Sequence, residues 1–273
     1  MKDLPNRDLL RVKHQDVRWS VKDFKKHSDA FMYGLSSLGC RPGDAVGAIL
    51  GNNTEHAVLL YAAARLGLTV APFDENMVSK KDLEKAIAET ECRVLLIGNA
   101  EDQLVGSDVA KTVRDILPQL NDEIDGTTPR VKDDRFPSLE HVMSTEYYKV
   151  SGSMLQFRHF LAYEVLARNP GSRAKKFVSE KTPLIQPVSA LGQETAVTHG
   201  ELSKRAAAAK ASLGVTDGDK LLLESRDPVD LAVGLFLSCD TLCPLVLTDS
   251  KNADDVELYE VEGCTKRVTS FAV

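Results

Sequence analysis

Apolar positions between residues 16 and 98 alternate between two periods. Phe24, Phe31, Met32, Leu35 and Leu38 recur at helical spacing behind Ser20-x-x-Asp23, where a hydroxyl and a carboxylate can cap a helix start reciprocally. Gly39 ends this helix, and Arg41-Pro42-Gly43-Asp44 makes a turn. The continuous apolar run Ala45–Leu50 then predicts a buried strand. The alternation continues with a helix over Thr54–Leu66 stopped by Gly67, and a strand over Thr69–Pro72 ended by its proline. A helix over Lys80–Thr90 and a strand over Arg93–Ile97 complete the series. Strands alternating with helices of this length predict an α/β fold with a mainly parallel sheet.

The middle of the chain is less periodic. Residues 107–120 read as helix, whereas Asn121–Ser138 collects acids, Gly126, Pro129 and Pro137 in the pattern of a surface loop or insertion. Ser153–Arg168 returns to helical spacing through Leu155, Phe160, Leu161 and Val165, and Asn169-Pro170-Gly171 breaks it. The basic stretch with Arg173, Lys175 and Lys176 reads as a solvated loop, with contact to phosphate or an acidic partner as its functional alternative.

The chain then repeats itself. Leu38-Gly39-x-x-x-Gly43-Asp44 returns as Leu213-Gly214-x-x-x-Gly218-Asp219, and at the same offset Ala57-Val58 aligns with Ala232-Val233 and Asp74 with Asp249. Thr198-x-x-Glu201 supplies a second capping pair, ahead of a helix rich in alanine from Ala206 to Ala211. The shared offset predicts two duplicated helix–strand units forming mainly parallel sheets flanked by helices. Their division is a first α/β unit over 1–120, an irregular insertion and helix over 121–182, and a second α/β unit over 183–273, as separate parts or one composite domain.

Composition narrows the function classes. Thirty-four basic residues against 40 acidic ones give a formal charge of −6, which lacks the electrostatic footprint of a nucleic-acid binder. No window reaches the roughly 18–20 apolar residues of a membrane span. Met1–Asp8 has no apolar core and carries two acids, unlike a secretory signal or an Arg-rich, acid-poor transit peptide. Five scattered cysteines (Cys40, Cys92, Cys239, Cys243, Cys264) fit reduced, intracellular usage as buried structural thiols. Cys239-x-x-x-Cys243 would put two thiols on one helical face, but no second pair follows at zinc spacing, and the six histidines are scattered. Asp44 and Asp219 each follow a glycine at a turn into a strand and read as structural. Dinucleotide, Walker, nucleophile-elbow and HExxH motifs are absent, so no catalytic residue, metal ligand or cofactor is assigned.

Arg18-Trp19-Ser20-Val21-Lys22-Asp23-Phe24, then Leu35-x-x-Leu38-Gly39-x-x-Pro42-Gly43-Asp44-x-Val46, Asn52-Asn53-Thr54-Glu55 and Val70-Ala71-Pro72 together resemble the opening of the adenylate-forming superfamily. That family includes acyl-CoA synthetases, luciferases and peptide-synthetase adenylation domains. The resemblance covers 16–98 well and 183–249 more weakly. It implies a loop reading Thr-Ser-Gly-Thr-Thr-Gly-x-Pro-Lys-Gly that cradles ATP phosphates, followed by a Thr-His-x-Asn-Leu helix start. Thr198-His199-Gly200-Glu201-Leu202 matches the helix start, so His199 stands beside the loop position. Upstream, Pro187, Val188, Ser189, Ala190, Leu191, Gly192 and Gln193 form a degenerate version of the loop. Ser189 keeps a hydroxyl, Pro187 and Ala190 replace glycines, Gln193 replaces the lysine, and no lysine lies between Lys181 and Lys204. Proline removes an amide donor and Glu194 brings negative charge, so weak ATP binding is expected.

The family's later Tyr-Gly-x-Thr-Glu motif, ribose-binding Asp and C-terminal catalytic Lys have no counterpart in these 273 residues; Tyr33-Gly34-Leu35-Ser36 lies within the first helix. The expectation is therefore a non-catalytic acyl-CoA synthetase-like protein, a structural or accessory subunit with protein partners in a larger assembly or as a homo-oligomer. The mitochondrion is favoured over the cytoplasm. The alternatives are a ligand-binding regulator that keeps an acyl or CoA pocket, and an ATP-dependent acyl-adenylate-forming enzyme completed in trans.

Overall fold

The structure is a computed structural model, and it describes residues 5–74, 79–98, 109–121, 129–146, 154–162, 176–189, 191–248 and 256–271. The first half runs β1 (Asp8–Val12), β2 (Val17–Ser20), α1 (Val21–Ser37), β3 (Ala45–Ile49), α2 (Thr54–Leu66), β4 (Thr69–Pro72), α3 (Lys80–Thr90) and β5 (Val94–Ile97). A connecting stretch holds α4 (Val109–Ile116), β6 (His141–Ser144), β7 (Leu155–Gln156) and α5 (Phe157–Leu161). The second half runs β8 (Pro183–Ile185), β9 (Val188–Ser189), β10 (Gly192–Gln193), β11 (Val197–Thr198), α6 (His199–Leu213), β12 (Leu221–Leu223), α7 (Pro228–Thr241), β13 (Leu245–Leu247), α8 (Val256–Val261) and β14 (Lys266–Val268).

Local chemistry sets the helix ends. Both capping boxes form: Asp23 N donates to Ser20 Oγ at 3.2 Å and Ser20 N to Asp23 Oδ2 at 3.1 Å, while Thr198 and Glu201 repeat the arrangement at 3.3 and 2.7 Å. Gly67 and Gly214 close α2 and α6 in the left-handed region, at φ 72° and 57°, where a side chain is strained.

Three sheets result among the described residues: one of seven strands in the order β11-β8-β4-β3-β5-β6-β7, one of five in the order β14-β12-β13-β1-β2, and the two-stranded β10-β9. The centres of the two larger sheets repeat one plan, with β4-β3-β5 matching β13-β12-β14 and all neighbours parallel. The turns match as well. Asp44 accepts from Arg41 N at 2.9 Å and Arg93 Nε at 2.9 Å; Asp219 accepts from Thr216 N at 2.7 Å and Thr265 Oγ1 at 2.6 Å. Each aspartate thereby pins its turn to the residue immediately ahead of β5 or β14.

The halves exchange their leading hairpins. β1 pairs in parallel with β13, Leu10 opposite Leu245, and β8 pairs in parallel with β4, Val70 opposite Ile185. Each hairpin partner, β2 or β11, is antiparallel to the strand it precedes or follows. One continuous core spans both halves, including Phe24, Phe31, Leu35, Leu59, Val70, Leu202, Leu221, Leu231 and Leu245. A second core under α3 and α4 holds Leu83, Ile87, Leu95, Val113 and Ile116. Burying each such side chain contributes about 1.5–3 kcal/mol.

Several expectations change in the structure. Helix over 107–120 resolves into α4 and a 3-10 turn at Pro118–Asn121, with 107–108 outside the described residues. Helix over Ser153–Arg168 is the short α5 preceded by β7, and 163–168 lie outside the described residues. Residues 122–128, Arg173, Lys175 and Asp249 are likewise outside them. Cys239 and Cys243 do not share a helical face: α7 stops at Thr241, Leu242 takes φ 55°, and the Cys243 thiol donates to the Asp219 carbonyl at 2.8 Å. Gly34 has a packing reason, because a Cβ there would sit 2.1 Å from Phe160 Cδ1, where α5 crosses α1. Among the described residues, no helix is long and apolar enough to cross a membrane.

Candidate functional site

The C-terminal ends of parallel strands are where an α/β sheet exposes loops and helix N-termini together. Here the ends of β3, β4 and β12 open on a single cleft of about 400 Å³. Its walls include Gly51, Asn52 and His56 from the entry to α2, Phe73 and Asp74 after β4, Pro187, Val188, Glu194 and Thr195 from the degenerate loop, and Arg226–Val229 at the entry to α7. Asn52 Nδ2 donates to the Ser225 carbonyl at 2.6 Å, tying the end of β3 to the end of β12.

Two capped helices face this cleft. Asn53 accepts from His56 N at 2.8 Å at the start of α2. Asp227 accepts from Val229 N at 2.7 Å at the start of α7, whose first residue, Pro228, brings no amide. Desolvation raises the Asp227 carboxyl above its ordinary range. His56 is buried, and its Nδ1 lies 3.1 Å from the Gly51 carbonyl. A carbonyl only accepts, so Nδ1 carries the proton and the buried Nε2 is a bare acceptor, with no hydrogen-bond partner among the described residues. Burial pushes the His56 pKa down to about 4, which keeps the ring neutral at pH 7.

The degenerate loop is a small antiparallel hairpin, with Val188 opposite Gln193 and Ser189 opposite Gly192. Asp74 N donates to the Val188 carbonyl and Glu194 N to the Pro187 carbonyl, each at 2.8 Å, so Pro187, Val188 and Glu194 form the cleft wall. Beyond Val188 the hairpin turns away. Ser189 Oγ accepts from Leu191 N at 3.3 Å, and the Leu191 side chain is exposed. Gly192 takes φ 122°, and Gln193 donates to the Glu89 carbonyl of α3 while accepting from Gln186 Nε2 at 2.7 Å. Ala190 lies outside the described residues. His199 does not line the cleft: its amide donates to the Thr182 carbonyl at 3.0 Å, its ring meets Phe236 edge-on, and burial lowers its pKa.

Charge in the cleft is mainly negative, with Asp74, Glu194 and Asp227 against Arg226. Among the described residues, no group of three or more His, Cys, Asp or Glu side chains could hold a metal ion. Burial pushes the Cys40, Cys239 and Cys243 thiols up to about 12 and Cys264 up to about 11, which removes thiolate at neutral pH. Sequence reasoning did not assign His56, Asp74, Arg226 or Asp227 to a site. The available signal was position, since each follows a short apolar strand at the point where the chain turns into a helix or loop.

Comparison with known proteins gives a consistent picture. The family model described as AMP-binding enzyme matches residues 2–153. Acyl-CoA ligase SID4 of Ajellomyces capsulatus is 29% identical over 117 residues, covering 40% of this chain and 19% of the relative. Human mitochondrial medium-chain acyl-CoA ligase ACSF2 is 24% identical over 143 residues, covering 52% of this chain and 22% of the relative. The matched stretch thus spans about a fifth of these curated relatives. A putative long-chain-fatty-acid CoA ligase from Rhodopseudomonas palustris superposes with a TM-score of 0.73 at 16% identity, over 96% of this chain and 59% of that one. Fatty acyl CoA synthetase from Mycobacterium tuberculosis gives 0.68 at 18% identity, over 95% and 45%. These superpositions bear out the α/β architecture expected from the sequence. The expectation of a non-catalytic protein is overturned, because the relatives that match are named as ligases. It rested on what one loop lacks and on later family motifs without a counterpart in these 273 residues, and the likeness to those enzymes runs across the strands and helices around that loop.

Proposed function

The chain belongs to the AMP-binding enzyme family, and from that premise we propose that it serves the ATP-dependent activation of a carboxylic acid and its transfer to coenzyme A. The observation that carries this reading is the family match across residues 2–153, together with relatives named as acyl-CoA ligases. In this chemistry the acid's carboxylate attacks the α-phosphorus of ATP and pyrophosphate leaves, and the thiol of coenzyme A then displaces AMP. A medium-chain fatty acid is the proposed substrate, after the relatives named for it.

The hairpin at 187–194 does not supply the positive charge that a triphosphate needs. Its lysine position is Gln193, committed to α3, and Glu194 faces the cleft. In this reading the counter-charge comes from outside the cleft, as in an enzyme completed in trans. A place in a protein assembly goes with it: among the described residues, β7 and β14 end their sheets without an outer strand, edges that another chain can cover. A mitochondrial location also belongs to the reading, supported by the relatives named mitochondrial.

The test is ATP–pyrophosphate exchange by the natively purified protein with its co-purifying chains, offered hexanoate through palmitate. Acid-dependent exchange is expected, strongest with medium-chain acids. No exchange with any acid, from material that elutes as an intact assembly, would remove the proposal.

A further inference from the structure

The turn ahead of β8 is held from two sides and shows one aromatic ring to solvent. Ser179 N donates to Thr182 Oγ1 at 2.8 Å and Thr182 N to the Ser179 carbonyl at 3.0 Å, so residues 179–182 close on themselves. Val178 anchors the turn ahead of β4, where a Cβ on Gly67 would lie 3.1 Å from Val178 Cγ2 and 3.4 Å from Pro42 Cβ. Glu180 anchors it to the first turn of α6: its carbonyl accepts from Gly200 N at 2.8 Å, and a Cβ on Gly200 would lie 2.9 Å from the same oxygen. Held at both points, the turn leaves the Phe177 side chain 68% exposed.

A single exposed apolar side chain is ordinary on a protein surface. This one stands among cations. The packing contacts bring three segments together here, and each carries exposed positive charge: Lys176 and Lys181 in the turn, Arg41 beside Pro42, and Lys204 one helical turn beyond Gly200 on the same face of α6. No ion pair engages any of the four among the described residues. The acids of these segments are Glu180 and Glu201, and nearby Asp44 is paired with Arg93. The corner is therefore net positive on a chain whose formal charge is −6.

We propose that the turn over 176–182, with Arg41 and the first turns of α6 beside it, docks on an anionic lipid bilayer: Phe177 enters the headgroup region and the flanking cations meet lipid phosphates and carboxylates. Lysine and arginine stems lie along an apolar boundary while their charged ends stay in the polar layer, and anionic lipid attracts them. A protein partner fits the surface less well. A stable protein interface needs about 800 Å² from each side around an apolar centre, whereas the other large apolar side chains exposed among the described residues, Leu191 and Val261, belong to the β9–β10 hairpin and α8. A fluid bilayer accepts one ring without a matching pocket. The turn lies at the N-terminal ends of β4 and β8, and the cleft at the C-terminal ends of the strands, so a docked chain keeps its cleft open to solvent. The inference is independent of acid activation.

The experiment is flotation of the full chain with vesicles of phosphatidylcholine alone and of phosphatidylcholine with about one third phosphatidylserine. Saturable binding to the anionic vesicles and none to the neutral ones is expected, weakening as salt rises. Phe177→Ser is expected to lower partitioning about tenfold. Lys176→Gln combined with Lys181→Gln is expected to lower it about twentyfold, near fivefold per charge. Both variants should melt at an unchanged temperature, since the positions are exposed. Leu191→Ser, at the exposed hairpin tip, is expected to leave binding unchanged, which separates this turn from general adhesion. Equal binding to both vesicle types, no binding to the anionic ones, an unaffected Phe177→Ser variant or an equal loss in Leu191→Ser would each overturn the proposal. So would poly-glutamate that binds as tightly as the anionic vesicles whether or not Phe177 is present, which is the behaviour of a site for an acidic protein.

Discussion

Asn52 and Ser225 stand 173 positions apart, yet the Asn52 side-chain amide donates to the Ser225 carbonyl at 2.6 Å. This bond joins the C-terminal end of β3 to that of β12 across the two larger sheets, and Asn52 lines the cleft. Asn52 is buried, so its loss leaves a carbonyl without that donor. Asn52→Ala is expected to destabilise the fold by about 1–3 kcal/mol. Urea unfolding checks this, with a lower midpoint at unchanged slope as the expected outcome.

Gly34 is a second point of close approach, between α1 and α5. A methyl group there would overlap the Phe160 ring, which also packs edge-on against Phe31. Gly34→Ala is expected to cost about 1–3 kcal/mol through overpacking, despite the better helix propensity of alanine. Combining it with Phe160→Leu should recover part of the loss. Thermal melts of the two single variants and the double variant measure the coupling, and strict additivity would argue against the contact.

Stability should fall with acid earlier than the carboxylates alone would dictate. Burial lowers the pKa of His56 to about 4 and also lowers those of His141 and His199. A histidine whose folded pKa is depressed binds fewer protons in the native state, so stability rises with pH. The His56 contribution is complete above the unfolded value near 6.5 and is lost as pH falls towards about 4, on the order of 3 kcal/mol. Urea midpoints between pH 7.5 and pH 4 should drop steeply, and His56→Gln should flatten that slope.

Alignment to the family's loop singles out Gln193 as the lost lysine, but the fold singles out Glu194. Gln193 is turned to α3, whereas Glu194 lines the cleft. Glu194→Lys changes the local charge by two units and is expected to strengthen pyrophosphate binding about fivefold to tenfold. Gln193→Lys is expected to change it less than twofold. Calorimetry on the two variants decides the matter, and the reverse order would mean that the hairpin is turned differently in solution.

What the sequence determined by itself is local. The capping boxes at Ser20 and Thr198, the stops at Gly67 and Gly214, and the spans of α2, β4 and α3 all follow from interactions within a few residues of one another. The repeat was legible for the same reason, since Asp44 and Asp219 cap their own turns before they reach any distant partner. Tertiary structure alone decided the rest. The strands β1, β8 and β11 are two to five residues long, too short for a period to declare itself; β1 and β8 are defined by pairing with strands far along the chain, and β11 by its antiparallel pairing with β8. The reciprocal exchange of hairpins and the approach of Asn52 to Ser225 therefore had no sequence signature. Nor did the cleft, whose His56, Glu194 and Asp227 come from three separate segments. Their chemistry is set by burial and direction, and both exist only once the two sheets are packed.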